Sequence, residues 1–336
     1  MPGQQCVHRR DVRHDDVASI VAAAVRAPSV HNTQPWRWRT TATGVALYAD
    51  HERRLALADP QGRGMLISCG AALEHALVAA RALGIEPLVH RSADPMDGGP
   101  VATIDLTWHL DAPDLDRARA DLAVLLRRRT DHRRFTTWPV PPVLLQDLAS
   151  VAARDGVQAL PVLDPAARLR TELLVHQAQD VQGRDAGLVS EVRRCSADAE
   201  IGRTDGLVLS DALVVLATAF DAPRDWVVIG EALTALWLAS TAAEISVVPL
   251  CQVVEVDQTR DVLRWDVLGG RLHPQLVVRL GWQELSRSTL PPTSRRSVAE
   301  VLDNGPDPSV TRDPRPGAEG PPAVGLHAVG GMLHDS

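Results

Sequence analysis

Lysine is missing from this chain of 336 residues, so all 35 basic side chains are arginine. A Walker-type phosphate loop needs a lysine and is excluded. Cysteine is scarce, and Cys6, Cys69, Cys195 and Cys251 form no C-x-x-C pair. Neither a zinc ribbon nor a thioredoxin-type redox pair is indicated, and the scattered thiols read as reduced and buried. H-E-x-x-H, G-x-G-x-x-G and G-x-S-x-G are all absent, which removes the usual zinc-protease, dinucleotide-fold and serine-hydrolase readings. None of the 12 histidines stands at metal-ligand spacing from a second His or Cys, so no metal is expected.

Long apolar runs are missing too. None approaches the roughly 20 residues of a membrane span, and the polar start of the chain lacks the apolar core of a signal peptide. The expectation is a cytoplasmic protein without membrane association. A formal net charge of -7 argues against nucleic acid as a partner but leaves room for a local basic pocket.

What is present is ordinary in bulk: 45% apolar and 23% charged residues, enough for a large core in two domains or one duplicated unit. Helical spacing covers 15–26, and Pro28 stops it. Residues 28–36 read as a loop and 45–48 as a strand. An alanine-rich buried helix over 64–83 ends at Gly84. A strand at 101–110 and a helix at 114–128 follow. Helices are expected at 141–154, from Pro141 and Pro142, and at 164–179, from Asp164 and Pro165. Residues 211–219 and 276–281 read as strands and 230–243 as a helix. The stretch 182–206 has mixed polarity and no clear period, and reads as a mobile insertion serving as a lid. From 304 the Gly- and Pro-rich chain is expected to be disordered. One internal echo stands out: residues 70–85 and 230–245 share Gly, Ala, Leu, Ala, Ala and Ile at matching places without gaps. Each copy leads into an apolar, strand-like segment, as in a fused pseudo-dimer.

Three clusters can carry chemistry. The loop Pro28-Ser29-Val30-His31-Asn32-Thr33-Gln34-Pro35-Trp36 offers hydroxyls and amides that read a polar heterocycle edge. By physics alone an ordinary stiff polar turn is the better account. The run Arg127-Arg128-Arg129-Thr130-Asp131-His132-Arg133-Arg134-Phe135 holds five arginines in eight residues. It suits a phosphate, and equally a solvated helix end. The third, Pro291-Pro292-Thr293-Ser294-Arg295-Arg296, would pass for a surface loop if it stood alone.

Together the clusters carry a resemblance. The first resembles the A-P-S-x-x-N-x-Q-P-W signature of nitroreductase-like flavoproteins, and Arg129 to Phe135 resembles their R-R-S-x-R-x-F motif, with Asp131 in place of serine. Arg295-Arg296 is similar to the late basic pair that closes on the flavin phosphate. Ser246 to Gln252 looks like the strand-entry loop beside the flavin ring, with Gln252 where glycine is common. The arginine motif follows the loop by about a hundred residues, the reverse of ordinary nitroreductases. That order, with Asp59-Pro60-Gln61-Gly62-Arg63, resembles the actinobacterial Acg family of fused double nitroreductase domains. The resemblance covers about residues 15–303.

It implies an α+β nitroreductase-like fold, with two tandem halves forming a pseudo-dimer around central helices and antiparallel-type sheets. The expected division is a 1–14 extension, halves at 15–126 and 127–303, the lid at 182–206, and a 304–336 tail. One FMN site is expected between the halves, its symmetry-related twin being dead. Ser29, His31, Asn32 and Gln34 would line the ring or ribityl chain, and Pro249, Leu250, Cys251 and Gln252 the ring's redox edge. Arg129, Arg133, Arg295 and Arg296 would neutralise the phosphate, with Asp131 among them. No catalytic side chain is assigned. NAD(P)H would be the electron donor and a small nitroaromatic or quinone the acceptor, in a monomer or homodimer. A flavin-storing protein with a lidded site is the alternative. A relic without flavin is the third reading, kept open by Asp131 and Gln252.

Overall fold

The computed structural model describes residues 13–108, 115–195, 212–284 and 293–303. The expected tail, most of the N-terminal extension and the later part of the expected lid lie outside the described residues.

The first half runs α1 (His14–Ala24), β1 (Trp36–Thr40), β2 (Gly44–Ala49), α2 (Arg63–Ala82), β3 (Ile85–Arg91) and β4 (Ala102–Trp108), and α3 (Leu115–Arg127) follows it. The second half opens on α4 (Pro142–Ala152), β5 (Val157–Pro161), α5 (Pro165–Arg184) and α6 (Ala186–Cys195). It continues through β6 (Ala212–Thr218), α7 (Pro223–Ala242), β7 (Ile245–Leu250), α8 (Gln252–Glu255), α9 (Asp257–Val262) and β8 (His273–Trp282). The chain then reaches α10 (Val298–Val301) and β9 (Leu302–Asp303).

The two sheets have the orders β3-β4-β2-β1-β9 and β5-β6-β8-β7. Read from its other end, the second becomes β7-β8-β6-β5. Both halves therefore share a helix, two strands, helix, two strands, wired alike, to which the second adds α5 and α6 between β5 and β6 and α8 and α9 between β7 and β8. The pairings are antiparallel, except that β9 returns to pair in parallel with β1. Residues 302–303, expected with the second half by chain order, thus pair with the first sheet, and α10 packs beside them on α1 and β1.

The echoing helices meet at the centre. A Cβ built on Gly70 would lie 1.9 Å from the Val227 carbonyl oxygen, and one on Gly230 would lie 2.0 Å from that of Ile67. Only glycine lets the two backbones touch there. Local chemistry sets the helix starts. Asp59 Oδ2 accepts from the Met65 amide at 2.8 Å ahead of α2. Asp164 caps α5 through the Ala167 amide at 2.8 Å, and Asp225 reaches back to the Ala222 amide at 2.9 Å before α7. Gly84, at φ 74°, ends the α2 unit.

Helix α2 is long and apolar enough to cross a membrane, contrary to the sequence expectation, but it lies almost wholly inside the protein. Strand β6 is buried at all seven positions, with Val214 and Leu216 facing the main core and Leu213 and Val215 a second one. That period-two split shows a sheet covered on both faces.

The segment expected as a patternless mobile insertion is helical over the described part. Helix α5 runs on to Arg184 and α6 spans Ala186–Cys195. Leu188 and Val192, one turn apart, give α6 its apolar contacts with Leu55, Ala58 and Val30.

Candidate functional site

The loop between α1 and β1 is held in an unusual shape. His31, Asn32 and Gln34 all have positive φ, at 45°, 56° and 50°. Such conformations cost about 1–3 kcal/mol each unless surroundings enforce them, with Asn the most tolerant. The enforcement is visible. Ser29 Oγ accepts from the Gln34 amide at 3.0 Å, and Thr33 Oγ1 donates to the Val30 carbonyl at 2.9 Å. From α2, Ser68 Oγ accepts from the Val30 amide at 3.1 Å.

The amide side chains of this loop grip the returning strap 293–303. Asn32 Oδ1 accepts from the Arg295 guanidinium at 3.0 Å, and Asn32 Nδ2 donates to the Ser294 carbonyl at 3.3 Å. Gln34 Oε1 accepts from the Arg296 amide at 2.8 Å. The Arg296 guanidinium binds the carbonyls of Gln34 and Trp36, each at 3.3 Å, and lies 3.6 Å from Asp50.

Next to this clasp is a recess of about 40 Å³, lined by Arg26, Leu125, Arg128, Arg129, Thr130, Thr293 and Arg295. Arg128 is buried, 5% exposed, and its guanidinium stacks on Trp237 of α7 at 4.5 Å. It donates to the Arg26 carbonyl at 3.1 Å, while its Nε has no partner. Arg129 caps the end of α3 through the Leu126 carbonyl at 3.1 Å. Among the described residues, no carboxylate lies within ion-pair distance of these four arginines. Burial, then repulsion from Arg295, Arg129 and Arg26, pushes the Arg128 guanidinium down to about 9. Burial, then Arg26 and Arg129, pushes Arg295 to about 10. Buried cations without counter-charge are costly, and an anion with several oxygens relieves them through charge-assisted hydrogen bonds.

The expected phosphate residues divide. Arg129 and Arg295 converge on the recess. Arg133 instead pairs with Asp131 at 2.6 Å, and Gln283 also donates to Asp131 at 2.6 Å. Arg296 fastens the strap. Arg26, Arg128, Thr130 and Thr293 join the recess without having been singled out. Arg128 and Thr130 stood in the quoted run and Thr293 in the third cluster, without a role at the phosphate; nothing in the sequence marks Arg26.

On the ring side, the Leu250 side chain is buried in the core cluster that also holds Phe135, so only its backbone is available. Pro249, Cys251 and Gln252 are half-buried. Burial, with Glu255 and Asp59 nearby, pushes the Cys251 thiol well up and keeps it protonated. Glu255 accepts from Gln182 Nε2 at 2.8 Å. Burial raises its carboxyl to about 7, and Asp59 adds to the rise. His31 is half-buried; burial, then His132, lowers its pKa, and Glu191 opposes them.

Helix α6 reaches from the second half to the first. Its Glu191 carboxylate accepts from the backbone amides of Ala56, Leu57 and Ala58 at 2.7–3.2 Å. Its apolar contacts include Val30 of the loop.

The pseudo-symmetric place is built differently. The linker between α4 and β5 holds only 153–156, against 25–35 between α1 and β1. Arg154 pairs with Glu74 at 2.8 Å, and Arg91 with Glu231 at 2.7 Å and Asp155 at 3.2 Å.

No family model matches the chain. A Mycobacterium tuberculosis H37Rv protein named "Putative NAD(P)H nitroreductase" is 32% identical over 318 residues, spanning 86% of this chain and 91% of its own length. From the same organism, "Putative NAD(P)H nitroreductase acg" is 31% identical over 329 residues, spanning 87% of this chain and 96% of its own. Among solved structures, a Bacteroides fragilis nitroreductase with bound FMN aligns at 15% identity, covering 52% of this chain and 94% of its own, with a TM-score of 0.38.

Proposed function

The chain belongs to the Acg-like family of nitroreductase-like proteins, and we propose that it is an FMN-dependent NAD(P)H oxidoreductase with one flavin site between its halves. The observation that carries this reading is the recess of Arg26, Arg128, Arg129 and Arg295, four cations with no carboxylate among the described residues to balance them. The orphaned Nε of buried Arg128 and that of Arg295 fit a group that brings negative charge and several acceptors, as a phosphate monoester does.

When bound, FMN would supply the hydride chemistry between NAD(P)H and a nitroaromatic or quinone-type acceptor, in ping-pong order. The four arginines hold the phosphate, with the hydroxyls of Thr130 and Thr293 at hand. The strained loop around His31 forms one wall, and the backbone of Pro249 to Gln252 the other. The carboxyl of Glu255, partly accessible beside that wall, is raised by burial to about 7, so it exchanges a proton near neutral pH.

A second reading, flavin storage with little turnover, is favoured by α6. Its Glu191 latch and its contact with Val30 support reading it as a cover over the loop, and a cover that stays shut slows exchange.

Two measurements test the proposal. Protein mixed with FMN and desalted should keep flavin absorbance at about one per chain. Anaerobic NADH or NADPH should then bleach it within seconds. A chain that retains no flavin sinks both readings; retained flavin that resists bleaching leaves storage standing.

A further inference from the structure

Both polar side-chain atoms of Asn32 have partners within the protein. Nδ2 meets the Ser294 carbonyl at 3.3 Å, and Oδ1 takes the Arg295 guanidinium at 3.0 Å. The other acceptors of Arg295 are the carbonyls of Thr293 and Ser294, at 3.5 and 3.0 Å on its own strap. Among the described residues, Asn32 is therefore the group that ties this guanidinium to the first half. The tie is needed on electrostatic grounds. Arg295 is half-buried, lines the recess together with Arg26, Arg128 and Arg129, and is repelled by them.

We infer that Asn32 is a positioning residue: it holds Arg295 in the recess, and so acts on the phosphate end of the ligand rather than on the ring. This inference rests on the FMN reading above. It assigns a signature amide, expected from sequence at the ring or ribityl chain, to the anion subsite. The residue type fits the task. An amide oxygen is a neutral acceptor that fixes a guanidinium without cancelling its charge; a carboxylate there would pair with Arg295 and remove it from phosphate recognition. Asparagine also tolerates the left-handed backbone found at φ 56°. Gln34 supports the clamp by fixing the strap's register through the Arg296 amide at 2.8 Å.

The test compares ligands that differ only in the phosphate. Titration calorimetry with FMN, riboflavin and inorganic phosphate is run on wild type, Asn32→Ala, Asn32→Asp, Arg295→Ala and the Asn32→Ala, Arg295→Ala double variant. Asn32→Ala and Arg295→Ala should each weaken FMN about tenfold, with riboflavin changed by less than about twofold. The double variant should be no worse than Arg295→Ala alone, because one interaction is removed twice. Asn32→Asp keeps the backbone tolerance and an acceptor, so it should fold, and it should still weaken FMN while sparing riboflavin.

Equal losses for FMN and riboflavin in Asn32→Ala would place the amide on the ring and overturn the inference, and additive losses would overturn it as well. If wild type binds neither flavin, the FMN reading falls and inorganic phosphate carries the test. Non-additive loss of phosphate affinity then supports the clamp, and additive loss, or no phosphate binding at all, overturns it.

Discussion

The two halves place corresponding arginines in opposite circumstances. Arg26 stands two residues past α1 and Arg154 two residues past α4. Around Arg154 and Arg91 lie Glu74, Glu231 and Asp155, with contacts of 2.7–3.2 Å. Around Arg26 lie three more arginines and no acid among the described residues. In the Gly70–Gly230 register, Glu74 corresponds to Thr234 and Glu231 to Ala71. Two carboxylates present on one side of the central helices are thus missing on the other. The unbalanced side also holds the reverse defect, since Glu255 is enclosed with a glutamine as its partner. One duplicated scaffold has closed one cleft with ion pairs and left the other with unpaired charge. Sites that bind or react keep such local conflicts, whereas structural regions resolve them.

The largest effect should come from breaking the balanced side. Glu231 is 2% exposed and holds the half-buried Arg91 by two contacts of 2.7 and 2.8 Å. Burial keeps its carboxyl above the ordinary value, against the pull of Arg91. Glu231→Ala takes away the buried partner of that arginine, leaving it Asp155 at 3.2 Å, and should cost about 3 kcal/mol of stability, read as a lower urea midpoint. FMN affinity, referred to folded protein, should not move. A loss of affinity there would show that the two clefts are not independent.

The unbalanced side should respond in the opposite way. Arg128→Met keeps a buried apolar side chain but removes the cation that stacks on Trp237 and has no counter-ion. FMN affinity should fall about tenfold to a hundredfold, while the ligand-free protein keeps or gains stability in thermal unfolding. A large loss of stability without FMN would mean that Arg128 is structural and that the comparison fails.

How much of this was legible follows from how local each feature is. The Gly70–Gly230 echo was visible because close helix packing needs small residues at one place in both copies. The split between the strained loop and the arginine run was visible because both are short contiguous motifs. Arg128 could not be ranked above Arg133, because its burial depends on Trp237, more than a hundred residues later. The fate of Arg133 was nearer to hand: an aspartate two residues away was a ready partner. Helix α6 escaped because its apolar face is only Leu188 and Val192 and its anchor, Glu191, bonds backbone amides of the other half. The strap escaped because a two-residue strand carries no period.

The smallest effect concerns the acid on the unbalanced side. Burial first, then Asp59, raises Glu255 from 4.5 to about 7, with the Gln182 hydrogen bond and Arg63 opposing. Helix α8 presents this carboxylate towards Gln182 of α5, and Cys251 stands at the start of α8. The sign follows from linkage: the native state prefers the protonated form more than the unfolded chain does. Its contribution is full below the unfolded value near 4.5 and disappears as pH rises through about 7. Because the group is partly accessible, the change should be about 1–2 kcal/mol rather than the full shift. Urea midpoints of wild type measured from pH 5 to 8 should fall relative to those of Glu255→Gln, which holds a neutral group throughout. Parallel curves would mean that this carboxyl is ionised already at pH 5, and the cleft's negative side would then be as well solvated as any surface.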